Sequence, residues 1–314
     1  MPNLSQVGPY IVHGKLLNKP IYFAQRELTK EPVVLKKNNP TICEDDHPNP
    51  NLTSKRVLEH EKRIMGMLDH PNICQYLGYI GDQSAPDSPD FLILPDKGRY
   101  TLRDIPPMQQ IPAVGAAIAQ VSAAMVHAHE RGIVHRDLKP DNLVIGREGV
   151  TIIDWGGAYR RSFSNDWGAT MGILTPGTPG YMGPEQVVNP SQPGARTRPE
   201  FANDTFGLSA TAYFLFTGKE AFLRCRDDIY FALPRSRDGL RHYGGFGEVI
   251  IAGLEPNPKK RPTMKQLTFE AERHFGREPR FENLEGRVNP VHPVETDTTE
   301  LLEQTAIMLD RKFE

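Results

Sequence analysis

The sequence predicts an α+β protein with a small β-rich N-lobe and a larger helical C-lobe. Three observations predict it. Short apolar runs broken by turn residues fill positions 10–95. Longer apolar stretches of helical period take over after position 110. Two charged motifs, "HRDLKPDN" at 135–142 and "TIIDWGG" at 151–157, follow apolar runs in the second part. Residues 1–95 are assigned to the N-lobe, 96–275 to the C-lobe, and 276–314 to a tail with one short helix.

The first strands are expected at "YIVHG" (10–14), "IYFAQ" (21–25) and "PVVLKK" (32–37). The Pro, Asn and Asp residues of 40–52 make a loop. A helix should follow from Ser54 to Leu68, capped by Thr53 or Ser54, with Val57, Ile64, Met65 and Leu68 on its apolar face. Two more strands flank the polar loop at 81–90, and the second is "FLILP" at 91–95. The Ala-rich stretch 113–130, a stretch starting near Asp204 and the segment 245–254 read as helices. The stretch 277–297 is polar and contains proline, and 298–309 has the pattern of a last amphipathic helix.

A chain of 314 residues with a formal net charge of −2 can bury a sizeable core and offers no electrostatic basis for nucleic-acid binding. Cys43, Cys74 and Cys225 are too scattered for metal-ligand spacing and read as reduced thiols, which implies a reducing, cytoplasmic setting. The N-terminus lacks the basic-then-apolar pattern of a signal peptide. The apolar stretches 113–128 and 206–216 fall short of the ~20 residues that cross a bilayer, so no membrane span is expected. His127 and His129 read as core or surface rather than metal ligands, and no Cys/His cluster suggests zinc.

Asp137, Lys139, Asn142 and Asp154 carry the chemistry. A dense charge cluster between apolar runs is costly to order unless something binds there. Asn142 and Asp154 are oxygen ligands suited to Mg²⁺, which shares its shell with phosphate oxygens. Lys139 is a point charge for a transferring phosphate. Asp137 can accept a hydrogen bond from an attacking hydroxyl. Positioning and charge neutralisation of this kind are the logic of phosphoryl transfer.

The motifs resemble those of protein kinases. "HRDLKPDN" is similar to the catalytic loop, "DWG" at 154–156 to the metal-binding motif with Trp155 in place of Phe, and "GTPGYMGPE" at 177–185 to the substrate loop with Gly183 in place of Ala. "VVLK" at 33–36 resembles the strand bearing the phosphate-contacting lysine, and Glu61 its acidic partner. "NDTFGLSATAYFLFTG" resembles the helix that starts at a buried Asp, here Asp204, and "NPKKRPT" the segment whose arginine pairs with the loop glutamate, joining Arg261 to Glu185. The resemblance spans positions 10–265. It implies a kinase-like fold, ATP and Mg²⁺ as cofactors and a protein substrate with a Ser/Thr hydroxyl. In that reading Asp137 orients the hydroxyl, Lys139 steadies the phosphoryl group, and Asn142 and Asp154 hold metal. Lys36, held by Glu61, positions nucleotide phosphates, and Gly14, Ile21, Val34, Pro95, Lys97 and Val144 line the nucleotide. Lys139, Pro140 and Thr178 resemble the serine/threonine class, and Gln186 after Glu185 resembles bacterial members. The arginine beside Asp137 implies a phosphate on the activation segment, for which Ser162, Ser164, Thr170 and Thr175 are acceptors.

The pattern departs at the glycine-rich loop. "GKLLNKP" at 14–20 keeps Gly14 but places Leu16 and Lys19 where the second and third glycines belong. Two other readings therefore stand beside a kinase: a pseudokinase that binds nucleotide or a partner without transfer, and a small-molecule kinase of similar fold. "GTPGYMGPEQ" resembles a peptide-docking loop and weighs against the last.

Overall fold

The computed structural model describes residues 5–16, 19–37, 54–81, 89–160, 177–186, 200–224, 230–232, 239–282 and 284. They fall in two compact units, one drawn from 5–66 and 74–96, the other from 67–73 and 97–284. The expected loop at 40–52, the cap Thr53 and the helix at 298–309 lie outside the described residues, as does most of the tail.

The first unit is a six-stranded antiparallel sheet with one helix. Strands β1 (Ser5–Val7), β2 (Tyr10–Lys15), β3 (Ile21–Arg26) and β4 (Pro32–Lys37) precede helix α1 (Ser54–Met65); β5 (Gly78–Gly81) and β6 (Pro89–Pro95) follow it. The order is β1-β2-β3-β4-β6-β5. Side chains alternate across a strand, so register decides which residues share a face. Phe23 pairs with both Gly14 and Val34, and Ile21 pairs with Lys36. Gly14, Ile21, Val34 and Lys36 thus lie on one face. The opposite face is apolar: Tyr22, Ala24, Val33, Leu35, Phe91 and Ile93 form a core with Val7, Tyr10 and Val12. Val33 and Leu35 are fully buried, each worth roughly 1.5–3 kcal/mol relative to exposure. Helix α1 ends three residues before the expected Leu68, and Leu58 rather than Val57 takes the buried position beside Ile64 and Met65.

The second unit is built on helix α2 (Ile111–Glu130), preceded by strand β7 (Tyr100–Thr101). Helix α2 starts two residues before the expected 113–130, and at 20 residues it is long and apolar enough by composition to cross a membrane. Here most of it is buried, packed chiefly against α5 (Met264–Phe275) and then α3 (Phe201–Thr217). Its small residues allow close approach: a Cβ at Gly115 would lie 2.2 Å from the Phe275 ring. Helix α3 ends at Gly218 in the left-handed region, a common stop. Helix α4 (Gly244–Gly253) lies within one residue of expectation. Helix α5 and the hairpin β12 (Phe222–Arg224) with β13 (Tyr230–Ala232) are not among the expected elements. The signal for α5 is nonetheless in the sequence: Thr263 and Gln266 form a capping box. Short strands complete the unit. Strand β8 (Ile133–Val134) pairs with β11 (Tyr159–Arg160), and β9 (Leu143–Gly146) joins β10 (Gly149–Ile152) to β7.

Candidate active site

The loop after β8 has an unusual backbone. Arg136 has φ 74°, in the left-handed region, and the next turn runs through Pro140–Asn142 into β9. A non-glycine residue keeps such a conformation only where its surroundings enforce it. Asp204, 1% exposed in the first turn of α3, supplies much of that enforcement. Its Oδ2 accepts from the His135 N–H at 2.9 Å and its Oδ1 from the Arg136 N–H at 2.7 Å. His129 Nε2 adds a 2.9 Å contact to the same carboxylate. Burial lowers the Arg136 guanidinium to about 10, with Asp204 opposing the shift, so it stays charged at neutral pH.

This frame presents Asp137 half-buried, with each carboxylate oxygen engaged. Thr178 Oγ1 donates to Oδ1 at 2.8 Å. The Lys139 ammonium lies 2.8 Å from Oδ2 and also donates to Thr178 Oγ1. Asn142 Nδ2 donates to Oδ2 at 3.1 Å and to the Asp137 carbonyl at 2.8 Å. That commits the amide nitrogen of Asn142, so its Oδ1 is the atom of this side chain that could hold a metal. The Ile153 N–H donates to the Asn142 carbonyl at 3.0 Å, which sets Asp154 next to the same turn. Asp154 is exposed, with φ 63°. Trp155 is fully buried, its ring 4.6 Å edge-on from that of His135. Its indole N–H reaches the Ile152 carbonyl at 3.4 Å, so the larger ring is accommodated with its donor partnered.

In the first unit Lys36 Nζ lies 2.8 and 2.6 Å from the two oxygens of Glu61, which is 1% exposed. Gly14, Ile21 and Val34 share the sheet face of Lys36, and Pro95 ends β6 opposite Val33. In the second unit Val144 is buried on β9, and Lys97 is 3.7 Å from Glu148. The β2–β3 turn is closed by its own main chain: the Leu16 N–H donates to Ile21 and the Lys19 N–H to Leu16, at 2.8 and 3.2 Å. Those two amides are spent on the hairpin.

The segment 177–186 is anchored by Glu185. Arg261 grips its carboxylate with two nitrogens, at 2.6 and 2.7 Å, and Asn203 Nδ2 adds a third bond at 2.6 Å. A Cβ at Gly183 would sit 2.5 Å from Glu185 Oε1, which explains glycine where the motif has alanine. Ser162, Ser164, Thr170 and Thr175 lie outside the described residues. The roles of His129 and Asn203 escaped the sequence reading, because each partner is fixed only when α3 packs.

A family model for the protein kinase domain matches residues 21–270. Serine/threonine-protein kinase PknG of Mycobacterium leprae is 27% identical over 209 residues, 64% of this chain and 25% of that protein. Serine/threonine-protein kinase PknD of Chlamydia caviae is 24% identical over 299 residues, 83% of this chain and 30% of that protein. Sperm motility kinase 2B of Mus musculus is 29% identical over 222 residues, 66% of this chain and 41% of that protein. The chain thus spans from a quarter to about two fifths of the length of these relatives. With the family model covering most of its length, and with the catalytic-loop and Lys36–Glu61 geometry in place, the chain belongs to the protein kinase family.

Proposed function

We propose that this chain transfers the γ-phosphoryl group of ATP to a serine or threonine hydroxyl of a protein, with Mg²⁺, in a cytoplasmic setting. One observation carries the reading: Asp137, Lys139, Asn142 and Thr178 form a single hydrogen-bonded unit. A protein that transfers nothing has no chemical need for that arrangement.

The donor set fits the metal. Asn142 Oδ1 and the exposed Asp154 carboxylate are hard oxygen ligands, and Mg²⁺ takes one or two such protein groups alongside phosphates. When bound, Mg²⁺ neutralises charge on the β- and γ-phosphates. Asp137 accepts the hydrogen bond of the incoming hydroxyl and aims its oxygen. Lys139, 2.8 Å from the same carboxylate, sets a positive charge to steady the phosphoryl group, whose oxygens carry the negative charge during transfer. Thr178 holds Asp137 and Lys139 together, so the arrangement depends on the substrate segment being in place. Glu61 keeps the Lys36 ammonium in a fixed position for nucleotide phosphates. The Lys139–Pro140 sequence supports a serine/threonine acceptor, as do the names of the relatives.

The test is transfer of the γ-label of ATP to a generic protein acceptor with Mg²⁺, comparing wild type with Asp137→Asn. Label on the acceptor that the variant abolishes supports the proposal; equal incorporation by both sinks it. The second reading, a nucleotide-binding pseudokinase, draws on the self-closed β2–β3 turn. It predicts nucleotide binding with no transfer.

A further inference from the structure

We infer that Gln186 is a positioning residue for Asp137, acting through the peptide bond between Arg136 and Asp137. This rests on the proposed phosphoryl transfer. That peptide unit is held at both ends by side chains. Its N–H, on Asp137, donates to His135 Nδ1 at 3.3 Å. Its carbonyl, on Arg136, accepts from Gln186 Nε2 at 3.1 Å. Among the described residues no second donor reaches that carbonyl.

The orientation of the Gln186 amide follows from its partners. The Gly183 N–H lies 3.1 Å from Oε1 and can only donate, so Oε1 must face it. The Arg136 carbonyl can only accept, so Nε2 must face that side. Gln186 is 5% exposed, and a buried carboxamide that lost one of these partners would be left with an unmet polar group. Its own N–H donates to the Gly183 carbonyl at 2.8 Å, which folds the turn Pro184–Gln186 tightly beneath it. That turn is in turn pinned by Glu185 to Arg261 and Asn203.

The two anchors on Arg136 divide the work. Asp204 holds the N–H groups of residues 135 and 136, before the left-handed φ of Arg136. Gln186 holds the carbonyl after it. A left-handed non-glycine residue relaxes toward a commoner conformation when one side is released. Rotation there moves the Asp137 Cα, and with it the carboxylate that Thr178 and Lys139 must meet. The segment 177–186 therefore reaches the catalytic loop twice: by Thr178 at the carboxylate and by Gln186 at the main chain behind it.

Two variants separate positioning from packing. Gln186→Met removes both amide bonds at similar volume. Gln186→Glu is nearly isosteric, keeps the acceptor for Gly183, and sets a carboxylate oxygen against the Arg136 carbonyl. Both should lower kcat by about tenfold and leave the KM for ATP within about twofold, the pattern of a misplaced reacting group. An unchanged kcat in Gln186→Met overturns the inference. So does a wild-type kcat in Gln186→Glu, since the Gly183 contact would then suffice. Should Gln186→Met fail to fold, the isosteric variant carries the same test. Hydrogen exchange gives a readout that needs no catalysis. The Asp137 amide should exchange about tenfold faster in either variant while α2 amides are unchanged, and an unaltered Asp137 rate overturns the inference. If wild type transfers no phosphate, the functional proposal fails, and the exchange result still decides the role of Gln186.

Discussion

Arg261 and Glu185, 76 residues apart in sequence, meet through two guanidinium nitrogens at 2.6 and 2.7 Å. The Arg261 side chain is fully buried, and its guanidinium also lies 4.7 Å from the Phe206 ring and donates to the Ala202 and Pro256 carbonyls. Removing one partner strands a buried charge. Arg261→Met should cost about 3–5 kcal/mol and lower Tm by on the order of 10 °C. The double variant Arg261→Met with Glu185→Leu should be less destabilised than Arg261→Met alone. Calorimetry of the set checks both, and a single variant that melts with wild type refutes the account.

Asp137→Asn should reduce turnover by roughly 10²-fold or more, the range for a positioned proton acceptor. Nucleotide affinity should barely change, because in the proposed mechanism Asp137 meets the hydroxyl rather than the nucleotide. Thr178→Val should cost about tenfold in kcat through loss of the hydroxyl shared by Asp137 and Lys139. Steady-state kinetics against a protein acceptor measures each.

Acid should destabilise the second unit at His70 and His127. Each accepts a main-chain N–H: His70 Nδ1 from Asn72 at 3.1 Å, and His127 Nε2 from Asp69 at 3.3 Å. The rings lie 5.4 Å apart. Burial holds His70 below its usual range, reinforced by His127 and opposed by Asp69. Burial likewise lowers His127, reinforced by Arg131 and opposed by Asp69 and Glu130. With folded values below the ordinary ~6.5, the unfolded chain takes up more protons as pH drops, so this stability is complete above ~6.5 and is lost below it. Between pH 7.5 and 5.5, Tm should fall more for wild type than for His70→Gln with His127→Gln. Parallel curves contradict the assignment.

Nucleotide binding should depend on metal. The Leu16 and Lys19 amides are spent on the β2–β3 turn and do not serve to grip phosphates. The apparent KM for ATP should lie toward the upper end of the ~1 μM–1 mM range. MgATP should raise Tm modestly, ATP with EDTA should not, and Asp154→Asn should abolish the rise. Micromolar ATP affinity without metal would show that the turn holds phosphate by another route.

The elements of the first unit were legible because register and period are local. The runs at 10–14, 21–25 and 32–37 recur as β2, β3 and β4, and their alternation already separates Val34 and Lys36 from Val33 and Leu35. The catalytic loop was legible because Asp137, Lys139 and Asn142 lie within six positions. Long-range partnerships were less so. The His129–Asp204 contact spans 75 residues and leaves no periodic trace, and the buried role of Gln186 depends on a carbonyl 50 positions earlier. Helix α5 is hard to read because Phe269, a large apolar side chain, faces solvent and blurs its apolar face.

The small residues of α2 invert the usual direction of mutational risk. Ala113, Ala116, Ala117, Ala119, Ala124 and Ala128 are all buried, and Gly115 is overlain by the Phe275 ring. In a core of large side chains the hazard is a cavity. At these positions the neighbours own the volume, so trimming has little to remove while each added methyl must displace a packed partner, at typically 1–3 kcal/mol. Drift at these alanines and at Gly115 is therefore confined to exchanges among the smallest residues, whereas Ile118 and Met125, fully buried on the same helix, keep the ordinary risk of a cavity.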